Sequence, residues 1–136
     1  MKVLIDTNVI LDVLCNRRDF ADDSAQIFKL CEIKKLEGYI CALSIPNIVY
    51  IMRRELDKEK IKQVLETLSM IFKIVDLRGE DLKKASALAF EDYEDAIQSV
   101  HASRVKASYI ITRNTKDFTT SKVPAIAPAE LIKSQL

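Results

Sequence analysis

The first fourteen residues contain the pattern that most restricts how this chain can fold. Residues 3–5 (VLI) form an apolar run that ends abruptly at Asp6, and a second apolar run occupies residues 9–14. The first run predicts a short buried strand. Thr7 or Asn8 is expected to cap a helix that starts just after them. Asp6 would then lie at the carboxyl end of a strand, where open parallel sheets bind their ligands.

Apolar stretches of strand length and helix length alternate along the rest of the chain. The further predicted strands are residues 39–42, 73–76, 108–112 and 124–127. Strands that alternate with helices predict βαβ units and a parallel sheet with helices on both faces. We expect a Rossmann-like, three-layer α/β/α fold with a central parallel five-stranded sheet. A single domain covering residues 1–136 is the expected organisation.

The composition is that of an ordinary globular protein, with 49% hydrophobic and 30% charged residues. No apolar run approaches the length of a membrane span, so we expect a cytoplasmic protein without membrane association. Cys15, Cys31 and Cys41 lack metal-ligand spacing and are expected to be reduced thiols of the core. The net charge of +1 means that any contact with nucleic acid depends on local patches.

Four acids fall within five positions, at Glu91, Asp92, Glu94 and Asp95. A helix cap followed by an acid three residues later explains one or two of them. The remaining like charges repel one another unless a cation or solvent separates them. Because the small Ala96 leaves space beside Asp95, we expect Asp95 to be the functional acid. Asp92 or Glu94 is then a cap or a surface charge.

A polar loop with the sequence TRNTKDF directly follows the fourth predicted strand. An Asn-centred turn is a sufficient explanation for it. In the functional alternative, Thr112 and Asn114 provide hard oxygen ligands or hydrogen-bond donors, and Asp117 adds negative charge. Arg113 and Lys116 could contact phosphates, and Arg113 is the stronger candidate because it lies between Thr112 and Asn114.

Three sequence elements, namely the N-terminal stretch, the acid cluster and the polar loop, occur in an order and spacing that resemble those of the PIN-domain ribonucleases, in particular the bacterial VapC-type toxins. The resemblance rests on Asp6-Thr7-Asn8 after the first strand, Asp95-Ala96 at a helix start and TRNTKDF after a late strand. It implies a PIN-like fold and Mg²⁺- or Mn²⁺-dependent cleavage of RNA phosphodiesters. It also implies frequent homodimers and a small antitoxin protein as partner.

The resemblance further implies roles for individual residues. Asp6 matches the family's first acid and Asp95 its third, and both are the expected metal ligands. The second acid is usually a Glu in the helix after the second strand, where this chain has Asn47, and the fourth corresponds to Asn114. The expected catalytic set is Asp6, Asn47, Asp95, Asn114 and Asp117, with Asp117 as the best substitute for a missing carboxylate. The expected substrate contacts are Thr7, Asn8, Thr112, Arg113 and Lys116.

Other functions stay open at this point. A metal ion held by hard oxygens activates water against a phosphodiester, and Mg²⁺ needs only one or two direct carboxylates. Two missing acids predict one weakly bound metal, or else a catalytically weak or inactive PIN-like interaction module. An aspartyl-phosphate phosphatase fits less well, because such enzymes usually carry a second Asp where this chain has Asn8. No Gly-rich turn supports a dinucleotide-binding domain.

Overall fold

The computed structural model describes residues 1–135, and its centre is a sheet of five parallel strands. The elements in chain order are β1 (Lys2–Ile5), α1 (Thr7–Leu14), α2 (Ala21–Glu32), β2 (Glu37–Cys41), α3 (Ser44–Met52), α4 (Lys58–Ile71), β3 (Lys73–Val75), α5 (Gly79–Ser86), α6 (Tyr93–Arg104), β4 (Tyr109–Ile111), β5 (Ala125–Ile126) and α7 (Pro128–Gln135). A short 3₁₀ turn covers Thr115–Phe118. The strand order is β3-β2-β1-β4-β5, with every neighbouring pair parallel. The predicted α/β fold is confirmed.

Residues 3–5 of β1 are all apolar and buried because both faces of the strand are covered. Val3 and Ile5 pack into the larger core cluster, which includes Ile27 of α2. Leu4 points to the opposite face and packs with Ala102 of α6. Alternate residues of a strand point to opposite faces, so the helices form one layer on each side of the sheet. Within the described part of the chain, none of the helices is both long and apolar enough to span a bilayer.

Gly38 lies inside β2, where two helices approach the sheet closely. A Cβ atom at this position would lie 2.7 Å from Cys31 Sγ and 2.7 Å from Phe72 Cδ1. Both neighbours are almost fully buried, so a methyl group at position 38 would displace packed side chains. Glycine at position 38 therefore allows α2 and the end of α4 to pack directly against β2. Cys31 and Cys41 are buried free thiols and Cys15 is a half-buried one.

The start of α1 differs from the sequence expectation. The helix begins at Thr7, so neither Thr7 nor Asn8 is its cap, and Asp6 occupies the cap position without a side-chain bond to the helix. The Thr7 hydroxyl instead lies 2.6 Å from the Ser44 hydroxyl at the start of α3. Thr7 thus contacts another helix and does not cap α1. Because the Asp6 side chain makes no capping bond either, its carboxylate is free for other partners.

The sheet order creates a crevice between β1 and β4. From β1 the chain continues to β2 and β3 on one side, whereas β4 and β5 extend the sheet on the other side. Ligands of open α/β sheets bind at such a switch point, outside the carboxyl ends of the strands. The backbone N–H of Asp6 donates to the Ile111 carbonyl at 2.9 Å. The residues that follow β1 and β4 are therefore neighbours.

The C-terminal half of α6 is anchored to α5 by buried polar side chains. His101 Nε2 lies 3.1 Å from Asp81 Oδ2, and Arg104 Nη2 donates to the same oxygen at 2.8 Å. Burial lowers the pKa of His101, so its ring is mainly neutral at pH 7. This anchor fixes the axis of α6, whose first turn faces the crevice between β1 and β4.

Candidate active site

A cavity of about 480 Å³ lies above the carboxyl ends of β1 and β4. Its walls come from the start of α1, from α3, from the first turns of α6 and from the loop after β4. Five carboxylates line it: Asp6, Asp92, Glu94, Asp95 and Asp117. Asn8, Asn47, Gln98 and Asn114 add neutral polar groups. Among the described residues, no lysine or arginine lines this cavity, so its charge is strongly negative.

Asp6 is almost fully buried, with 5% of its surface exposed. Gln98 Nε2 donates to Asp6 Oδ1 at 2.9 Å, and Thr112 Oγ1 donates to Asp6 Oδ2 at 2.9 Å. These two neutral donors fix the orientation of the carboxylate. Neither donor is cationic, and among the described residues no lysine or arginine lines the cavity beside Asp6.

Asp95 lies in the first turn of α6 and faces the other carboxylates. Its backbone N–H donates to Asp92 Oδ1 at 3.0 Å, so Asp92 is the helix cap that the sequence predicts. Burial raises the pKa of Asp95 to about 7, with further contributions from the carboxylates of Asp92, Asp6, Asp117 and Glu94. A cation bound among these groups would relieve their mutual repulsion.

Glu94 lies in the cavity, whereas the sequence places it as a cap or a surface charge. The side chain is half-buried, and Asn47 Nδ2 of α3 donates to Glu94 Oε1 at 2.9 Å. Burial raises the pKa of Glu94, and the hydrogen bond from Asn47 opposes that shift. The expectation that Asp92 or Glu94 is a cap or a surface charge holds for Asp92, which is the cap. It does not hold for Glu94, whose partner comes from another helix, 47 positions away in the sequence.

The loop after β4 contributes one buried and two exposed groups to the site. Thr112 is fully buried, and its hydroxyl accepts a 3.1 Å hydrogen bond from the N–H of Asn114 while donating to Asp6. Asn114 and Asp117 are exposed at the rim of the cavity. Lys116 lies outside the cavity, in an adjoining groove that Asp95 and Asp117 also line.

Arg113 has a different environment from the one that the sequence suggests. Its Nε lies 3.0 Å from Oδ2 of the fully buried Asp12, although the two atoms are not aligned as a hydrogen bond. Its guanidinium carbon lies 4.1 Å from the centre of the Phe20 ring. The charge of Arg113 thus compensates a buried carboxylate, as does Arg17 on the other oxygen of Asp12. The structure places Arg113 away from the cavity lining.

The donor set suits a hard divalent cation. Mg²⁺ takes oxygen ligands and usually keeps several waters, so that one or two direct carboxylates suffice. Asp6 and Asp95 can provide them, and Gln98 Oε1 is a buried acceptor without a hydrogen-bond partner that could accept from an ordered water. Within residues 1–135, no group of three or more His, Cys, Asp or Glu side chains is arranged to hold a metal ion by itself. A site completed by water agrees with that arrangement.

Comparison with known families matches the model of the PIN domain to residues 2–116. The chain belongs to the PIN-domain family. This PIN domain is 25% identical over 134 residues to the ribonuclease VapC1 of Aquifex aeolicus (strain VF5), an alignment that covers 95% of this chain and 92% of the relative.

Solved structures similar to this PIN domain include two complexes. A toxin–antitoxin complex from Klebsiella pneumoniae has a TM-score of 0.71 and 21% identity, covering 93% of this chain and 97% of that one. VapBC2 from Rickettsia felis, bound to a DNA fragment from its promoter, has a TM-score of 0.69 and 16% identity, covering 93% and 98%. At these identities the two structures support the PIN fold.

Two residues of this PIN-domain site were missed at the level of sequence. Gln98 lies three residues after Asp95, so both are on one face of α6, and that spacing is a signal that could have indicated Gln98. Glu94 belongs to the acid cluster and lies four residues before Gln98, on the same face of α6, but its contact with Asn47 depends on how α3 packs beside α6.

Proposed function

We propose that this PIN-domain protein is a metal-dependent endoribonuclease that hydrolyses RNA phosphodiester bonds. One observation carries the proposal: Asp6 and Asp95, from distant parts of the sequence, line the same cavity together with Asp117. Burial and the neighbouring carboxylates raise the pKa of Asp95 to about 7, which is typical of a site prepared for a cation or for proton transfer.

Asp6 and Asp95 are the proposed ligands of Mg²⁺ or Mn²⁺. When bound, such an ion supplies charge neutralisation at the phosphate and a lowered pKa of bound water. Gln98 and Thr112 orient Asp6 through their hydrogen bonds to its two oxygens. Asp117, exposed at the rim, is the proposed acceptor of the proton that the attacking water loses.

The substrate contacts that we propose come from the loop after β4 and from α1. Lys116 is exposed in the groove that adjoins the cavity, where its ammonium group can contact an RNA phosphate. Asn8 and Asn114 line the cavity and offer amide groups to the same backbone. Thr7 and Arg113 are engaged with Ser44 and Asp12, so their proposed role is to hold α1 and the loop in position.

We further propose that the protein is the toxin of a toxin–antitoxin pair. The supporting observations are its similarity to the ribonuclease VapC1 and to toxin–antitoxin complexes of the same fold. Tyr50 and Ile51 of α3 line the cavity and are 58% and 41% exposed. This apolar rim is a suitable contact surface for a small antitoxin protein. We also propose that the chain itself forms a homodimer.

The decisive experiment is cleavage of a structured RNA by the full chain with added Mn²⁺ or Mg²⁺. We expect the wild type to cleave the RNA and the variants Asp6→Asn and Asp95→Asn not to cleave it. Asp19→Asn is the control and is expected to cleave like the wild type, because Asp19 is an exposed acid outside the cavity lining. Chelation with EDTA is expected to stop the reaction. Absence of cleavage with either metal would favour an inactive PIN-like interaction module, for which the amides of Asn47 and Asn114 are the specific argument.

A further inference from the structure

Asn47 of α3 and Glu94 of α6 meet inside the cavity, with Asn47 Nδ2 2.9 Å from Glu94 Oε1. Position 47 is where the PIN-domain resemblance places a second acid, and an amide there carries no charge. The structure brings a carboxylate from a different helix to within hydrogen-bond distance of that amide. The charge expected from α3 is thus present in the same part of the cavity, on Glu94.

The contact fixes which group Asn47 presents to Glu94. A carboxylate accepts hydrogen bonds and does not donate them, so the amide nitrogen of Asn47 must face it. An acid at position 47 would bring two like charges into contact at this point, which raises the free energy of the charged pair. Asn47 and Glu94 therefore form a matched pair that contains one negative charge and one donor to hold it.

A second observation indicates that a ligand belongs beside this pair. Gln98, only 2% exposed, also lines the cavity, and its Oε1 has no hydrogen-bond partner. A buried acceptor in a polar cavity normally has a donor, and a water held by a cation is such a donor. Glu94 and Asp95 lie in the same turn of α6, so both carboxylates and this acceptor belong to one helix.

We infer that Glu94, held in place by Asn47, supplies the carboxylate missing at position 47 and binds the divalent cation through a water molecule of its shell. The inference rests on the proposed function. With Asp117 standing in for the acid expected at Asn114, the site retains four carboxylates: Asp6, Glu94, Asp95 and Asp117. The number of carboxylates is then the same as if positions 47 and 114 carried acids. We therefore expect metal binding of ordinary strength, and not the weak binding that the sequence predicts.

The test is a titration of Mn²⁺ into the full chain. Binding is measured by isothermal titration calorimetry and by the electron paramagnetic resonance signal of free Mn²⁺. We expect Glu94→Gln to weaken Mn²⁺ binding about tenfold or more while the metal-free protein keeps its circular dichroism spectrum. Glu80→Gln is the matched control, since Glu80 lies in the first turn of α5 and is exposed. Moving the acid back to α3 in Asn47→Glu/Glu94→Gln is expected to restore most of the lost affinity.

The role of Asn47 is tested in the same titration by a double-mutant cycle. Asn47→Ala keeps all carboxylates and is expected to weaken Mn²⁺ binding several-fold in the wild type, but not in the Glu94→Gln background. Equal effects in both backgrounds would show a merely structural role for Asn47.

The outcomes separate this inference from the proposed function. If Asp6→Asn loses Mn²⁺ binding while Glu94→Gln binds as tightly as Glu80→Gln, Glu94 does not contribute to cation binding and the nuclease proposal stands. If the wild type binds no Mn²⁺ and cleaves no RNA, both proposals are wrong.

Discussion

Gln98 Nε2 donates a 2.9 Å hydrogen bond to Asp6 Oδ1, which links α6 to the end of β1. Both residues are buried and line the cavity, so the bond connects two elements at the centre of the site. Thr112 provides a second donor to Asp6 from the far side of the crevice. The orientation of the most buried acid therefore depends on two neutral side chains from separate elements.

Replacement of Gln98 by leucine tests this dependence. Gln98→Leu removes the donor and leaves Asp6 with one partner, so RNA cleavage is expected to fall about 10- to 100-fold. The measurement is the initial cleavage rate over a range of Mn²⁺ concentrations. Gln26→Leu alters an exposed glutamine of α2 and serves as the control. Equal rates for the two variants would mean that Thr112 alone is enough to hold Asp6.

The ion pair between Arg113 and Asp12 predicts a loss of stability. Arg113→Met leaves the fully buried Asp12 with Arg17 alone, and the free energy of unfolding is expected to fall by about 2–4 kcal/mol. The measurement is urea denaturation, with exposed Arg18→Met as the control. If Arg113→Met is as stable as the wild type but binds RNA more weakly, Arg113 contacts the substrate and does not stabilise the fold.

The raised pKa of Asp95 predicts a pH-dependent gain of stability in Asp95→Asn. The folded pKa of about 7 exceeds the ordinary value of 3.8, so the cost of the charged carboxylate begins above pH 4 and is complete above pH 7. Without metal, Asp95→Asn should be about 1–3 kcal/mol more stable than the wild type at pH 8. The difference should shrink as the pH falls to 5. Thermal unfolding in EDTA at both pH values measures it, and a pH-independent difference would contradict the electrostatic cause.

The close approach at Gly38 predicts that a methyl group there is costly. Gly38→Ala places a Cβ 2.7 Å from Cys31 Sγ and 2.7 Å from Phe72 Cδ1, and the free energy of unfolding should fall by about 1–3 kcal/mol. Gly79→Ala is the control, because nothing lies within 4 Å of a Cβ at Gly79. Chemical denaturation of both variants is the measurement. A Gly38→Ala variant as stable as Gly79→Ala would show that the two helices can move apart freely.

The elements that sequence could predict are those whose signals are local. The apolar run before Asp6 predicts β1, and the acid at Asp92 correctly predicts the start of α6. The sequence predicts that Thr7 or Asn8 caps a helix, but the Thr7 hydroxyl forms a hydrogen bond with Ser44, because tertiary packing brings Ser44 next to it. The same reason explains Arg113, whose charge is used by Asp12, and Glu94, whose partner Asn47 is remote in sequence.

Among the described residues, no basic side chain lines the cavity. In the proposed nuclease, this lining couples the binding of RNA to the binding of the metal. A phosphate brought among five carboxylates meets repulsion from every side, and only a bound cation can reverse the local field. If the chain is the metal-dependent ribonuclease that we propose, RNA and metal increase each other's affinity by the same factor, since such linkage is reciprocal. Depletion of the ion would then do more than stop the chemistry: it would also release the nucleic acid.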